Sequence, residues 1–233
     1  MLRKYIISLS GIDGCGKTTQ SKILYRLVKR SYKRTYLIQY KTYDPFKKII
    51  NMGVKQRLHL EKQYSLARRS IKYRINFFLK NIAYYILWIL NDIVFSYNLR
   101  RILRHVDVVV MDRTPFIDGV CLLGLRKVNL KPYIRLIRFL YRWIFRVDRC
   151  RVIAIVLDID PVITLSRRKE HSLYRQVLLK TYILGVAKKF YKLYRCSSNG
   201  FSIRVVDVSH KSIEQVSSIL WGIVSRELRV NGG

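Results

Sequence analysis

Acidic residues are scarce in this chain: 14 Asp plus Glu stand against 46 Lys plus Arg in 233 residues, a formal charge of +32. Self-repulsion on that scale works against compaction and points to anionic partners such as nucleotides, nucleic acid or acidic lipid. Cysteine is sparse too. Cys15, Cys121, Cys150 and Cys196 are far apart and form no CxxC pair, which argues against a zinc site and a disulfide framework and fits a reducing, cytoplasmic setting. No run approaches the ~18 to 20 uncharged residues of a membrane span. The longest apolar stretch, Ile75 to Leu99, is broken by Lys80, Asn81, Asn91 and Asp92. The apolar run Tyr5 to Leu9 is too short for a signal-peptide core. Repeats and low-complexity linkers are also missing, so one domain over residues 1–233 is expected. A disordered basic tail is excluded by composition, because 50% of the residues are apolar and can build a core.

What is present is an alternation of strand and helix patterns. Tyr5 to Ser10, Thr35 to Tyr40, Val106 to Met111, Val152 to Leu157 and Ile203 to Val206 are short β-rich runs. Val108-Val109-Val110-Met111 and Val152 to Leu157 are apolar at every position, the mark of parallel strands covered on both faces. Helical patterns lie between them: Thr18 to Arg30, Ile71 to Arg104, Leu130 to Arg146, Pro161 to Arg168, Leu173 to Tyr194 and Ser212 to Leu228. The order predicts an α/β protein with a three-layer, doubly wound parallel sheet of about five strands.

The first strand runs straight into Gly11-Ile12-Asp13-Gly14-Cys15-Gly16-Lys17-Thr18, which has GxxxxGK[ST] spacing and is followed by a helical pattern. Glycines let the backbone curl so that successive amides converge on phosphate oxygens, and the helix N-terminus adds its positive end. Lys17 is placed to reach β and γ phosphates and the Thr18 hydroxyl to ligate Mg²⁺. Cys15 reads as a small residue filling a loop position rather than a reactive thiol. A second signal is Val108-Val109-Val110-Met111-Asp112, a buried strand ending in a carboxylate where a Walker B acid would orient magnesium.

Together these residues resemble the thymidylate kinase family of P-loop nucleoside monophosphate kinases. Gly11 to Gln20 is similar to that family's G-x-D-G-x-G-K-T-T-Q, and Val109-Val110-Met111-Asp112-Arg113 to its strand ending in Asp-Arg. Leu157-Asp158-Ile159-Asp160-Pro161 resembles its L-D-V-D-P segment, and Val205 to Ser209 followed by Ser212 to Val216 its closing strand and helix. These anchors span nearly the whole chain. The resemblance implies an Mg²⁺-dependent transfer of the ATP γ-phosphoryl group to a nucleoside monophosphate, dTMP first. ATP would lie on Gly11, Asp13, Gly14, Cys15, Gly16, Lys17, Thr18 and Thr19, with Thr18 and Asp112 serving the metal. Arg113 would hold the acceptor phosphate and Asp13 would face the acceptor sugar. The Asp207 to Lys211 segment would border adenine. Since the loop position is Gly14, catalytic arginines would come from a lid at about 167–180: Arg167, Arg168 and Arg175. A homodimer is expected as well.

The acceptor side departs from the family pattern. Tyr43-Asp44-Pro45 stands where an Arg-Glu-Pro-like element is usual, so Asp44 and Pro45 are kept as candidates without the arginine. Asp92, 20 residues before Asp112, is followed by Ile93 rather than Arg, and Thr114 follows Arg113. Trp88, with Tyr84 and Tyr85, is a candidate base-stacking residue, although aromatics at helical spacing more often pack a core. This helical, basic acceptor-side segment covers about 46–105. A further stripe, Arg135, Arg138, Arg142 and Arg146, lines one face of the helix Leu130 to Arg146. Two other readings therefore stay open: a P-loop protein docking on membrane or nucleic acid through basic helices, and a kinase of a non-nucleotide acceptor.

Overall fold

The computed structural model describes residues 4–39, 71–113, 139, 150–167, 177, 180–181, 183–185 and 201–229, with backbone alone for 71–85, 88, 165, 167, 201 and 229. Five parallel strands form one sheet: β1 (Lys4–Gly11), β2 (Thr35–Gln39), β3 (Val108–Asp112), β4 (Cys150–Asp158) and β5 (Phe201–Asp207), in the order β2-β3-β1-β4-β5. The described helices are α1 (Lys17–Ser31), α2 (Ile71–His105), α3 (Pro161–Arg167) and α4 (Ile213–Arg229). This is the three-layer parallel α/β architecture that the alternation implied.

Periodicity explains the layers. All five residues of β3 are buried, and so are Val152 to Leu157 of β4, because crossover helices cover both faces of a parallel sheet. In α1 the inward stripe is Lys17, Gln20, Ser21, Leu24 and Val28, spaced three, one, three and four as a single helix face requires. Leu24 and Val28 are fully buried, as are Leu220 and Val224 of α4. The Gln20 amide joins the two helices: its Nε2 donates to the Ile213 carbonyl (2.9 Å), and its Oε1 accepts from the Ser217 hydroxyl (2.9 Å). Gln20 closes the phosphate-loop motif in sequence, and its role here is packing.

Register fixes where chemistry can occur. Gly11 pairs with Leu157, and Leu9 with both Asp112 and Ile155, so the loop after β1 and the ends of β3 and β4 share the carboxyl edge of the sheet. The order reverses at β1, whose neighbours come from later in the chain on both sides. Crevices at such a switch point are where open parallel sheets bind ligands.

The chain divides into two compact units, residues 1–40 with 97–233 and residues 41–96. The described part of the second unit is the first portion of α2. There Asn91, Asp92 and Ser96 are buried while Ile86, Leu90, Ile93 and Val94 are exposed. Among the described residues no helix is long and apolar enough to cross a membrane.

Candidate active site

The phosphate loop is built around close approaches that only glycine permits. A Cβ on Gly11 would fall 2.6 Å from the Leu157 carbonyl oxygen and 2.7 Å from Cys15 Sγ. Gly14 has φ 90, in the left-handed region, with Thr164 of α3 3.3 Å from where its Cβ would be. The loop then enters α1 with Gly16 as N-cap, no side-chain cap, and no acidic residue in the first turn. Among the described residues no side chain caps the first amides of α1, so the helix end keeps its positive potential, the arrangement that binds phosphate.

Lys17 is the group that a phosphate would meet. Its ammonium is 5% exposed and lies inside the loop, donating to the carbonyls of Gly11 (2.8 Å) and Ile12 (2.7 Å), 3.7 Å from Cys15 Sγ and 3.9 Å from Asp13 Oδ1. A buried cation held by neutral dipoles and one carboxylate can neutralise incoming phosphate charge without paying a large reorganisation cost. Cys15 is buried and packs beneath this ammonium, which agrees with its reading as loop filler. Thr19 is exposed on the first turn of α1.

Thr18 and Asp112 meet, 94 residues apart in sequence. The Thr18 hydroxyl donates to Asp112 Oδ2 at 2.6 Å. Asp112 Oδ1 is buried and has no hydrogen-bond partner among the described residues. An orphaned buried carboxylate oxygen beside a hydroxyl is a costly arrangement unless something supplies positive charge. Two hard oxygen donors next to a phosphate loop suit Mg²⁺, which binds through few protein ligands and keeps its waters. The residues present fit that ion.

Next in sequence to Asp112, the Arg113 guanidinium donates to Asp13 Oδ1 at 2.8 Å. Arg113 has φ 79, which among the described residues no other non-glycine position shares. A left-handed arginine costs on the order of 1–3 kcal/mol, and its amide bond to the Leu9 carbonyl (2.9 Å) extends the β1 ladder and holds it there. The guanidinium thus stands over the loop rather than continuing along β3.

The end of β4 supplies the remaining scaffold. Asp160 caps α3, its Oδ1 accepting from the Val162 amide (2.8 Å), with Pro161 at the first helical position. Thr164, buried, seats α3 against Gly14. The Asp160 amide donates to Ser209 Oγ (3.1 Å), and the Ser209 amide and hydroxyl both donate to Asp207 Oδ1 (3.0 and 2.8 Å). Those two bonds, the amide first, hold the Asp207 carboxyl below its ordinary range. The Asp207 to Lys211 segment is thereby fastened to the β4 terminus, where Val208 also donates to the Asp158 carbonyl (2.8 Å).

One residue on this edge escaped the sequence reading. Lys180 places its ammonium 2.7 Å from Asp158 Oδ1 and donates to the Ile159 carbonyl (3.2 Å). No local spacing connects positions 158 and 180, so no sequence signal marks the pair. Of the other candidates, Arg167 is described by its backbone as the last residue of α3, and Trp88 by its backbone on α2. Asp92 is buried in the second unit. Asp44, Pro45, Arg168, Arg175, Thr114 and the arginine stripe 135–146 lie outside the described residues. Among the described residues no three His, Cys, Asp or Glu side chains cluster as a metal site.

No protein-family model matches the chain, and no curated protein does either. Solved structures do. Thymidylate kinase from Candida albicans, whose structure is described as revealing the origin of broad substrate specificity, is similar with a TM-score of 0.58 at 20% identity, over 97% of this chain and 93% of that one. YorR protein from Bacillus subtilis, in complex with phosphorylated GDP, is similar with a TM-score of 0.50 at 13% identity, over 96% and 98%. The likeness is one of fold over almost the full length of both chains: this chain has the kinase type of P-loop fold.

Proposed function

We propose that the protein is an Mg²⁺-dependent nucleoside monophosphate kinase that transfers the γ-phosphoryl group of ATP, with dTMP as the first acceptor to test. The observation that carries this reading is the convergence at one sheet edge of a buried Lys17 ammonium, the Thr18–Asp112 pair with its orphaned oxygen, and the Arg113 guanidinium held by Asp13 of the loop. A phosphate loop alone is compatible with any NTPase. An arginine turned back over it by a left-handed backbone supplies a second anion site, as two phosphorylated substrates require.

The chain's own groups divide the work. The loop amides and Lys17 bind the donor's terminal phosphates and neutralise charge that develops as the phosphoryl group moves. Arg113 binds the acceptor phosphate, and Asp13 holds its guanidinium in place until the acceptor arrives. Thr18 and Asp112 would hold Mg²⁺, which supplies further charge neutralisation between the donor phosphates when bound. Catalysis of this kind is mainly positioning. Arg167, Arg168 and Arg175 are proposed to complete the charge shell from the lid segment.

The test is a coupled ADP-release assay with ATP, Mg²⁺ and a panel of nucleoside monophosphates. Acceptor-dependent ADP formation is expected, highest with dTMP. Slow ADP release that no monophosphate stimulates would overturn the kinase reading while leaving nucleotide binding in place.

A further inference from the structure

The edge of the sheet opposite the phosphate loop carries a concentration of charge that phosphoryl transfer does not use. α1 ends in Lys29 and Arg30, followed by Lys33 and Arg34 before β2, and α2 ends in Arg101, Arg104 and His105 before β3. β2 and β3 are neighbours, with Thr35 paired to Val108. The two helix-to-strand turns are bonded to each other: the amides of Asp107 (2.8 Å) and Val108 (3.3 Å) both donate to the Arg34 carbonyl. The Lys4 ammonium donates to the Leu103 carbonyl and Tyr5 packs edge-on against Tyr32, 6.3 Å between centroids. The cations of both turns are therefore on one face at the amino ends of β2, β3 and β1.

Charge compensation on this edge is uneven. At the amino end of β4, Arg151 is paired with Glu227, which also lies 3.5 Å from Arg204 of β5. On the β2–β3 side the one acid among the described residues is Asp107, and it is taken by Arg34 through a two-pronged contact (3.0 and 2.9 Å). Lys29, Arg30, Lys33, Arg101 and Arg104 are exposed, and among the described residues none of them makes an ion pair. One or two cations would complement the helix dipoles at these ends. Five exposed ones exceed that need and repel one another.

We propose that this face binds the sugar-phosphate backbone of nucleic acid. Three of its groups are Arg30, Arg101 and Arg104, whose guanidinium forks match phosphate oxygens. Tyr97, 56% exposed, precedes Arg101 and Arg104 by four and seven residues and so lies on the same side of α2; it offers a surface on which a base can stack. A membrane surface fits less well. A peripheral membrane helix sets aliphatic side chains beside its cations; none is exposed in 29–34 or 97–107, and the exposed Leu90, Ile93 and Val94 lie farther along α2, in the second unit. The eight residues of β1 separate this face from the phosphate loop by about 25 Å, so nucleic acid and nucleotide bind together. The proposal does not depend on the kinase reading.

The test uses the full chain and a short fluorescent DNA oligonucleotide, single-stranded and duplex, followed by anisotropy across a salt series. Wild type is expected to bind with a steep salt dependence, unaffected by saturating ATP. Lys29→Gln, Arg30→Gln, Lys33→Gln, Arg101→Gln and Arg104→Gln combined should weaken binding at least ~10-fold, and should lower the salt slope by roughly 3 to 4. ADP release should not change, and the melting temperature should not fall. Photocrosslinking of wild type should map to 29–34 and 97–104. Binding equal to wild type in the five-site variant, crosslinks confined to 130–146, or competition by ATP would each overturn the proposal. So would capture by phosphatidylserine vesicles without oligonucleotide binding, which would assign the face to membrane.

Discussion

Thr18 Oγ1 donates to Asp112 Oδ2 across 2.6 Å, and among the described residues the buried Oδ1 of the same carboxylate has no hydrogen-bond partner. The end of β3 thus presents a carboxylate oxygen that no described donor reaches. Asp112→Asn should separate stability from function. Replacing a buried carboxylate whose Oδ1 lacks a described hydrogen-bond partner with a neutral amide is expected to raise unfolding stability by about 1 kcal/mol, visible as a higher urea midpoint. The same change should cost on the order of 10²-fold or more in kcat and raise the Mg²⁺ concentration needed for half-maximal rate. A destabilised Asn variant would mean that the orphaned oxygen is satisfied within the fold.

Lys17→Ala removes the loop's buried cation. Its bonds to the Gly11 and Ile12 carbonyls are lost as well, so a modest fall in stability of about 1 kcal/mol is expected. Turnover should drop by roughly 10²- to 10³-fold, the scale of losing one donor aimed at developing charge. Circular dichroism and ADP release, measured on the same preparation, check the two effects separately.

Gly11 and Gly16 provide a paired comparison. Alanine at position 11 would place its Cβ 2.6 Å from a backbone oxygen of β4, whereas position 16 has nothing within 4 Å and a φ of 90. Gly11→Ala must move the β1–β4 ladder and should cost roughly 1–3 kcal/mol. Gly16→Ala meets only backbone strain, about 1–2 kcal/mol, and acts locally on the start of α1. Denaturant titration should rank Gly11→Ala as the less stable, and hydrogen exchange should show β4 amides exposed in that variant alone.

The contrast between these positions also shows what was legible in the sequence. Continuous apolar runs such as Val108 to Met111 and Val152 to Leu157 announce buried parallel strands because both faces must be covered, and β3 and β4 lie there; the other three strands fall on the shorter β-rich runs. Thr18 and Asp112 were assigned to one metal by type and strand position, and the structure brings them together. Contacts between distant side chains were not legible. Nothing in the spacing of Gly14 and Thr164, of Gln20 and Ser217, or of Asp158 and Lys180 encodes their meeting, since each depends on how α3, α4 or the 180–185 stretch packs on the sheet. Arg113 is a further case, because arginine has no preference for the left-handed backbone that it adopts.

Asp207 makes part of the stability depend on acid. Its carboxyl is held below the ordinary value by the Ser209 amide and then by the Ser209 hydroxyl. A depressed carboxyl contributes stability above its unfolded pKa and loses it as pH falls through the folded value. The contribution is thus fully present near neutrality, begins to fall as pH drops toward the ordinary value of 3.8, and is gone once pH is below the lowered folded value. Ser209→Ala removes the hydroxyl bonds to Asp207 and to the Asp160 amide. Melting curves of wild type and variant should differ near neutral pH and converge in strong acid. An unchanged gap at low pH would show that the loss comes from the Asp160 contact alone.

The two described cysteines should be inert for different reasons. Cys150 begins β4 with its thiol pushed up to about 12 by burial, an effect that outweighs the opposing influence of Lys4. Thiolate is the reactive form, so at neutral pH almost none exists. Cys15 is buried under the Lys17 ammonium within the loop, where a reagent cannot approach without displacing the loop. Native protein treated with a maleimide should show neither residue labelled by peptide mass mapping, while urea-unfolded protein should show both. Bound ATP should slow labelling of Cys15 during partial unfolding and leave Cys150 unaffected, because only Cys15 lies in the segment that nucleotide would hold closed. Equal protection of both thiols would instead indicate that nucleotide stabilises the whole sheet against opening, and equal exposure that it does not bind the loop.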